Sequence, residues 1–280
     1  FVFLRSPGAA TTVLLGATII ALIVANSPLV VQYMSLVNLQ LGPLTAMEWV
    51  NDALMAIFFL FVGLEVKREL VSGELNTNAK RIMPGIAALF GVIVPAIIFY
   101  LIAGSDDIYV HGWAIPTATD IAFAIGVITA LGSRVPNSMK VFLTALAVID
   151  DLIAIIVIAI FYASHLNMFY LVAAIIVTGL LIYCNRAGYV RSFSYIILGV
   201  ILWYCILRSG LHATMAGVIL AMTIPERGKI GRKYVRPMQH WEHYLSNWVS
   251  FVIVPIFAFF NAGVNLDGFG FADLSHPVVL

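Results

Sequence analysis

A chain of 280 residues that is 62% hydrophobic and 10% charged, with a mean hydropathy of +1.01, lies well outside the composition of a soluble domain of that length. Its net charge of +1 comes from basic residues scattered between apolar segments rather than gathered on one stripe, which excludes a nucleic-acid-binding surface. What remains is an all-α, polytopic membrane helix bundle whose solvent is the lipid bilayer.

Crossing the hydrocarbon takes about 20 mostly apolar residues. Such spans are predicted near residues 9–26, 48–64, 82–103, 113–131, 139–162, 168–183, 193–207, 211–224 and 245–264, about nine in all. The first is not read as a cleaved signal peptide, because only Arg5 precedes it and no small-residue cleavage site follows before Pro28. Of the 15 Lys and Arg, all but Arg208 fall in loops on one side of the alternating spans. The positive-inside rule makes that side cytoplasmic, with the N-terminus inside and the C-terminus outside. Asp106, Asp107, Asp267 and Asp273 fall in the opposite loops. Cys184 and Cys205 sit in or beside apolar segments without CxxC spacing and read as packing residues.

In chain order, residues 37–45 (VNLQLGPLT) alternate apolar and polar up to a Gly-Pro turn. They read either as an outer β-hairpin that pairs with a second copy in a homodimer or as a structured loop. The second span ends in a charged collar, Glu65, Lys67, Arg68 and Glu69, with Glu65 and Glu69 four apart on one helical face. One reading is a set of solvated interfacial anchors; the other is a titrating mouth that gathers cations and senses pH.

The fourth segment carries Pro116, flanked by Thr117 and Thr119 and followed by Asp120. Proline removes a backbone donor and disfavours helix at the preceding residue, and threonine hydroxyls can satisfy the freed groups. A helix interrupted here places half-helix ends and their partial charges beside Asp120, as in the ion sites of secondary transporters. An ordinary proline kink fits Pro116 equally well. The fifth segment holds Asp150 and Asp151 side by side in AVIDDLIAII, with no basic residue nearer in sequence than Lys140. A carboxylate at the bilayer centre costs at least ~2.5–3.5 kcal/mol, so an adjacent pair points to function. Burial and mutual repulsion favour protonation of such a pair, whereas a small hard cation favours its ionised form. Protons and cation therefore exclude each other, and alternating access to such a site gives exchange.

Further on, a turn at Arg208–Leu211 leads to His212, a group that titrates near neutral pH or is simply bonded at a helix start. The ninth span contains Pro255 and Asn261, and residues 226–236 form a basic connector. Two other function classes are open. An intramembrane aspartyl protease would use Asp120 with Asp150, although its Gly-x-Gly-Asp context is absent. A passive cation channel would conduct without proton coupling.

The motifs NDALMAIFFLFVGLEVKREL, GWAIPTATDIAFAIGV, GSRVP, LAVIDDL, SGLHATMAGV and PIFAFFNAGV, in this order, resemble the NhaA family of bacterial sodium/proton antiporters over nearly the whole chain. The resemblance implies a multi-pass protein of the bacterial inner membrane that is not an enzyme, needs no cofactor, and exchanges sodium or lithium for protons electrogenically and under pH control. It implies that Asp151 is the main cation ligand and Asp150 its proton-exchanging neighbour, with Thr119 and Asp120 the polar element at the helix break. Glu65, Arg68, Glu69 and His212 match positions tied to pH-dependent mouths. Family members have about twelve spans in an inverted-repeat fold, with a second broken helix and a late lysine. By that measure the present chain is the first part of a longer antiporter, and residues 113–162 are its ion-site hairpin.

Overall fold

The computed structural model describes residues 9–73, 75, 77–103, 112–115, 166–230 and 233–266, and runs of one to three residues at 134–136, 138–139, 141–143, 145–146, 149–150, 153–154 and 157. Most of the ion-site hairpin expected over 113–162, including the helix break, lies outside the described residues. The chain divides into two compact units, one joining Phe1–Arg68 with Ile158–Asn265 and the other joining Glu69–Val157 with Leu266–Leu280.

The first unit begins with α1 (Ala9–Ala25), and Asn26, Ser27, Pro28 and Leu29 separate it from α2 (Val30–Val37) at a bend of 118°. The sequence reading gave no helix at 30–37; the break falls at Pro28, which cannot continue the α1 hydrogen-bond ladder. A two-stranded hairpin follows, β1 (Gln40–Leu41) against β2 (Leu44–Thr45), which is the first of the two readings open for 37–45. Gly42 takes φ +72° in its turn, a left-handed conformation that glycine adopts without penalty. Thr45 then caps α3 (Ala46–Glu48) with a capping box: its hydroxyl accepts from the Glu48 amide, and the Glu48 carboxylate accepts from the Thr45 amide at 2.7 Å. A π-helical turn at Trp49–Leu54 carries the chain into α4 (Met55–Val71), which runs on through the charged collar rather than stopping near Leu64.

The same unit resumes with α6 (Met168–Arg186), α7 (Ser192–Ser209) and α8 (Met215–Thr223). α7 ends at Gly210, whose φ of +88° is a left-handed helix stop. The expected eighth span at 211–224 is corrected: only nine residues are helical, because 210–214 are taken up by turns. A second hairpin, β3 (Gly228–Ile230) with β4 (Lys233–Val235), precedes α9 (Pro237–Trp248), a π-helical turn (Val249–Ile253) and α10 (Val254–Asn261). In the second unit, α5 (Asn78–Ala103) carries Pro84 and Pro95 and exposes Met83, Phe90 and Leu101, the surface of a helix meant for lipid.

Among the described residues five helical segments are long and apolar enough to cross a membrane, or six if α1 and α2 count as one bent span. The core of the first unit is built from Leu60, Leu64, Leu181, Tyr195, Leu202, Ile206 and Met238, with Cys205 buried among them as a packing residue. α4 and α8 approach one another closely. A Cβ on Gly217 would collide with the Ala56 carbonyl oxygen and lie 2.7 Å from the Leu60 amide nitrogen, and one on Gly63 would lie 2.7 Å from the Ala221 Cβ. Gly217 and Ala221 thus form a small-xxx-small stripe that admits the α4 backbone.

Because backbone atoms cannot swing aside as a side-chain tip can, Gly217→Val is expected to cost at least ~1–3 kcal/mol. A thermal-unfolding series in detergent checks this: the variant should melt several degrees lower, whereas Gly16→Val, with open space around its Cβ position, should melt like the parent.

Candidate functional site

Asp150 is helical and 4% exposed, the only acidic side chain among the described buried residues, the other buried polar ones being Ser209 and Thr223. Its neighbour Ile149 faces α5, where a Cβ on Gly85 would meet the Ile149 Cδ1 at 4.0 Å. That distance is ordinary van der Waals contact, so residues 149–150 lie beside α5 within the second unit without crowding it. Asp151, Asp120 and Thr119 fall outside the described residues.

In the first unit, several helix ends converge on one basic end. Arg68 of α4 pairs with Glu242 of α9 and lies 3.8 Å from Glu65. Lys67 donates to the carbonyl oxygens of Met222 at 2.7 Å and Ile224 at 2.5 Å, at the C-terminus of α8. Asn185 at the end of α6 donates to the Thr223 carbonyl at 2.6 Å, and the Trp241 indole donates to the Ser192 hydroxyl at 3.0 Å. Within the second unit the Glu69 carboxylate lies over Gly73, where a Cβ would meet its Oε2. Glu242 escaped the sequence reading. Its signal was there: it is the only acidic residue between Arg227 and Trp248.

At the opposite end, His212 is exposed at the turn before α8, within electrostatic range of Asp52 in the π-helical turn. The Trp203 indole donates to the Asp52 carbonyl at 2.9 Å and stacks on Trp49 at 5.8 Å between ring centroids. Asn261 donates to the Asn51 side-chain oxygen at 2.9 Å, joining α10 to the start of the α4 span. This bond also escaped the sequence reading, which saw Asn261 only as a polar group near a helix end.

A cavity of about 650 Å³ in the first unit lies between Trp49, Leu60, Val200, Trp203 and Trp241. No carboxylate lines it, so it lacks the oxygen ligands a hard cation requires. Among the described residues no three His, Cys, Asp or Glu side chains gather to hold a metal ion.

The sequence matches the profile of a family described as Na+/H+ antiporter 1 over residues 2–280. It is similar to proteins named Na+/H+ antiporter NhaA from three bacteria. The one from Mesorhizobium japonicum is 51% identical over 281 residues, covering 99% of this chain and 71% of the relative. That from Rhizobium etli is 47% identical over 282 residues, covering 99% and 72%. That from Nitrobacter hamburgensis is 48% identical over 278 residues, covering 99% and 68%. The resemblance drawn from the motifs is borne out.

The Arg68–Glu242 pair, with side chains 35% and 13% exposed, stands between a surface and a buried ion pair. Glu242→Gln is therefore expected to lower stability by about 1–2 kcal/mol. Thermal unfolding of the parent and variant at low and high salt checks this; equal midpoints at low salt would mean that solvent screens the pair completely.

Proposed function

The chain belongs to the Na+/H+ antiporter 1 family, and from that membership we propose that it exchanges cytoplasmic sodium or lithium for external protons at Asp150 and Asp151. The observation that carries this reading is Asp150 at 4% exposure in an apolar helix, adjacent in sequence to a second carboxylate. Two like charges withdrawn from water are costly when both are ionised and empty. Protonation removes the charges, and a hard cation compensates them with an ion–oxygen contact, so the two ligands compete for the same oxygen atoms. Asp151 serves as the principal ligand and Asp150 as the neighbour that exchanges protons. Thr119 and Asp120 supply further oxygen atoms at a helix break whose half-helix ends carry partial charges.

A pair that shares one cation but binds protons on both carboxylates carries more protons one way than sodium ions the other. Exchange is then electrogenic, and the proton gradient and membrane potential drive sodium outward. The basic end of the first unit is the cytoplasmic mouth, in keeping with the excess of Lys and Arg in its loops. There Glu65 and Arg68, with Glu242, set the pH at which exchange begins; Glu69, the remaining acidic member of the collar, contributes to the same response, and His212 contributes at the outer mouth. The protein resides in the inner membrane with its N-terminus cytoplasmic, and the β1–β2 hairpin is the site of homodimer contact.

The test is sodium-induced proton release from everted vesicles. Competition requires the apparent KM for sodium to rise as pH falls. Asp151→Asn is expected to insert normally and to abolish the response; sodium-coupled proton release at the parental rate in that variant sinks the assignment. A sodium current without proton movement would favour a channel.

A further inference from the structure

We infer that Lys67 is a positioning residue: by capping the C-terminus of α8 it fixes α4 against α8 and reserves Arg68 for Glu242, which sets the pH response of the mouth. The inference rests on the proposed role of the charged collar in that response.

The last carbonyls of a helix have no partner within it and carry partial negative charge. In α8, with nine helical residues, these carbonyls are a large share of the element. Lys67 Nζ lies 2.7 Å from the Met222 oxygen, 2.5 Å from that of Ile224 and 3.4 Å from that of Ala221. Asn185 takes the intervening Thr223 carbonyl. An ammonium is suited to this task, because its three donors radiate from a single compact charge, whereas a guanidinium spreads its donors across a plane. The reach depends on the seam below it: Gly63, one turn before Lys67 on the same face, admits Ala221 at close range.

Consecutive residues on a helix point about 100° apart, so Lys67 faces α8 while Arg68 faces α9. The charged groups around the pair are Glu65, Arg68 and Glu69 on α4, Glu242 on α9, and Glu226 after α8, which is itself 3.4 Å from Arg227. With Lys67 in place, its charge is committed to α8, and Arg68 pairs with Glu65 and Glu242. Without it, Arg68 is the adjacent cation with the length to reach the vacated carbonyls. Turning to them withdraws it from Glu242, and the protonation of the mouth changes.

The test compares pH profiles of sodium-induced proton release in everted vesicles for the parent, Lys67→Met, Lys67→Arg, Glu242→Gln and the double variant Lys67→Met/Glu242→Gln. Lys67→Met and Glu242→Gln are each expected to displace the half-activation pH by about one unit, the size of effect a lost charge partner has. The double variant should move no further than Glu242→Gln, and Lys67→Arg should recover at least half of the displacement. A merely structural lysine would lower the amount of folded protein without moving the profile. If Lys67→Met fails to accumulate, Lys67→Gln, which keeps donors but not the charge, takes its place. An unmoved Lys67→Met profile beside a moved Glu242→Gln profile overturns the inference alone, as does an additive double variant. An unmoved Glu242→Gln profile overturns the collar reading as well.

Discussion

The first unit depends on the approach of α4 and α8 at backbone distance. Ala56, Leu60, Gly63 and Lys67 lie three or four residues apart on α4 and meet Gly217 and Ala221 of α8 and its C-cap Ile224 at the same spacing. In lipid, helices gain little from hiding apolar surface, since the tails are as apolar as leucine, and association rests on close packing and hydrogen bonds. Small residues supply the first, and the lysine at the end of the stripe supplies the second. The core of Leu64, Leu202, Ile206 and Tyr195 then fills the space around a seam already set.

This frame contrasts with the carboxylates. A bilayer satisfies no polar group, so each one must find its partner inside the protein. At the basic end of the first unit, carbonyl, ammonium, guanidinium, amide and indole groups pair across five helices, and their cost of burial is offset locally. Two adjacent aspartates are a different case: they carry the same charge and cannot satisfy one another. In the proposed exchange a proton or a cation supplies the compensation that two like charges cannot give each other.

Much of this was legible in the sequence. Hydropathy gave the membrane class, and the ordered motifs gave the family. Gly42-Pro43 marked the hairpin, and Thr45-x-x-Glu48 is a readable cap. What stayed hidden has physical causes. α2 is apolar on most of its eight residues, so only Pro28 hints that it turns away from α1. The stretch 211–224 is apolar enough to pass for a span, but hydropathy does not report that 210–214 are turns. Arg68 and Glu242 are 174 residues apart, and no local pattern links them. Of Thr119, Asp120, Asp150 and Asp151, the candidates for the ion site, Asp150 alone falls within the described part of the chain, as a buried side chain.

The π-helical turns at Trp49–Leu54 and Val249–Ile253 sit within two long segments joined by the Asn261–Asn51 bond. A π turn holds an extra residue relative to the α-helix around it, which rotates everything downstream by about 100°. The stripe that α4 presents to α8 begins just past such a turn. Which side chains form that stripe is therefore decided by a residue count upstream, not only by their own identities. A chain one residue shorter at 49–54 would keep Gly63 and Lys67 in its sequence and turn both of them away from α8.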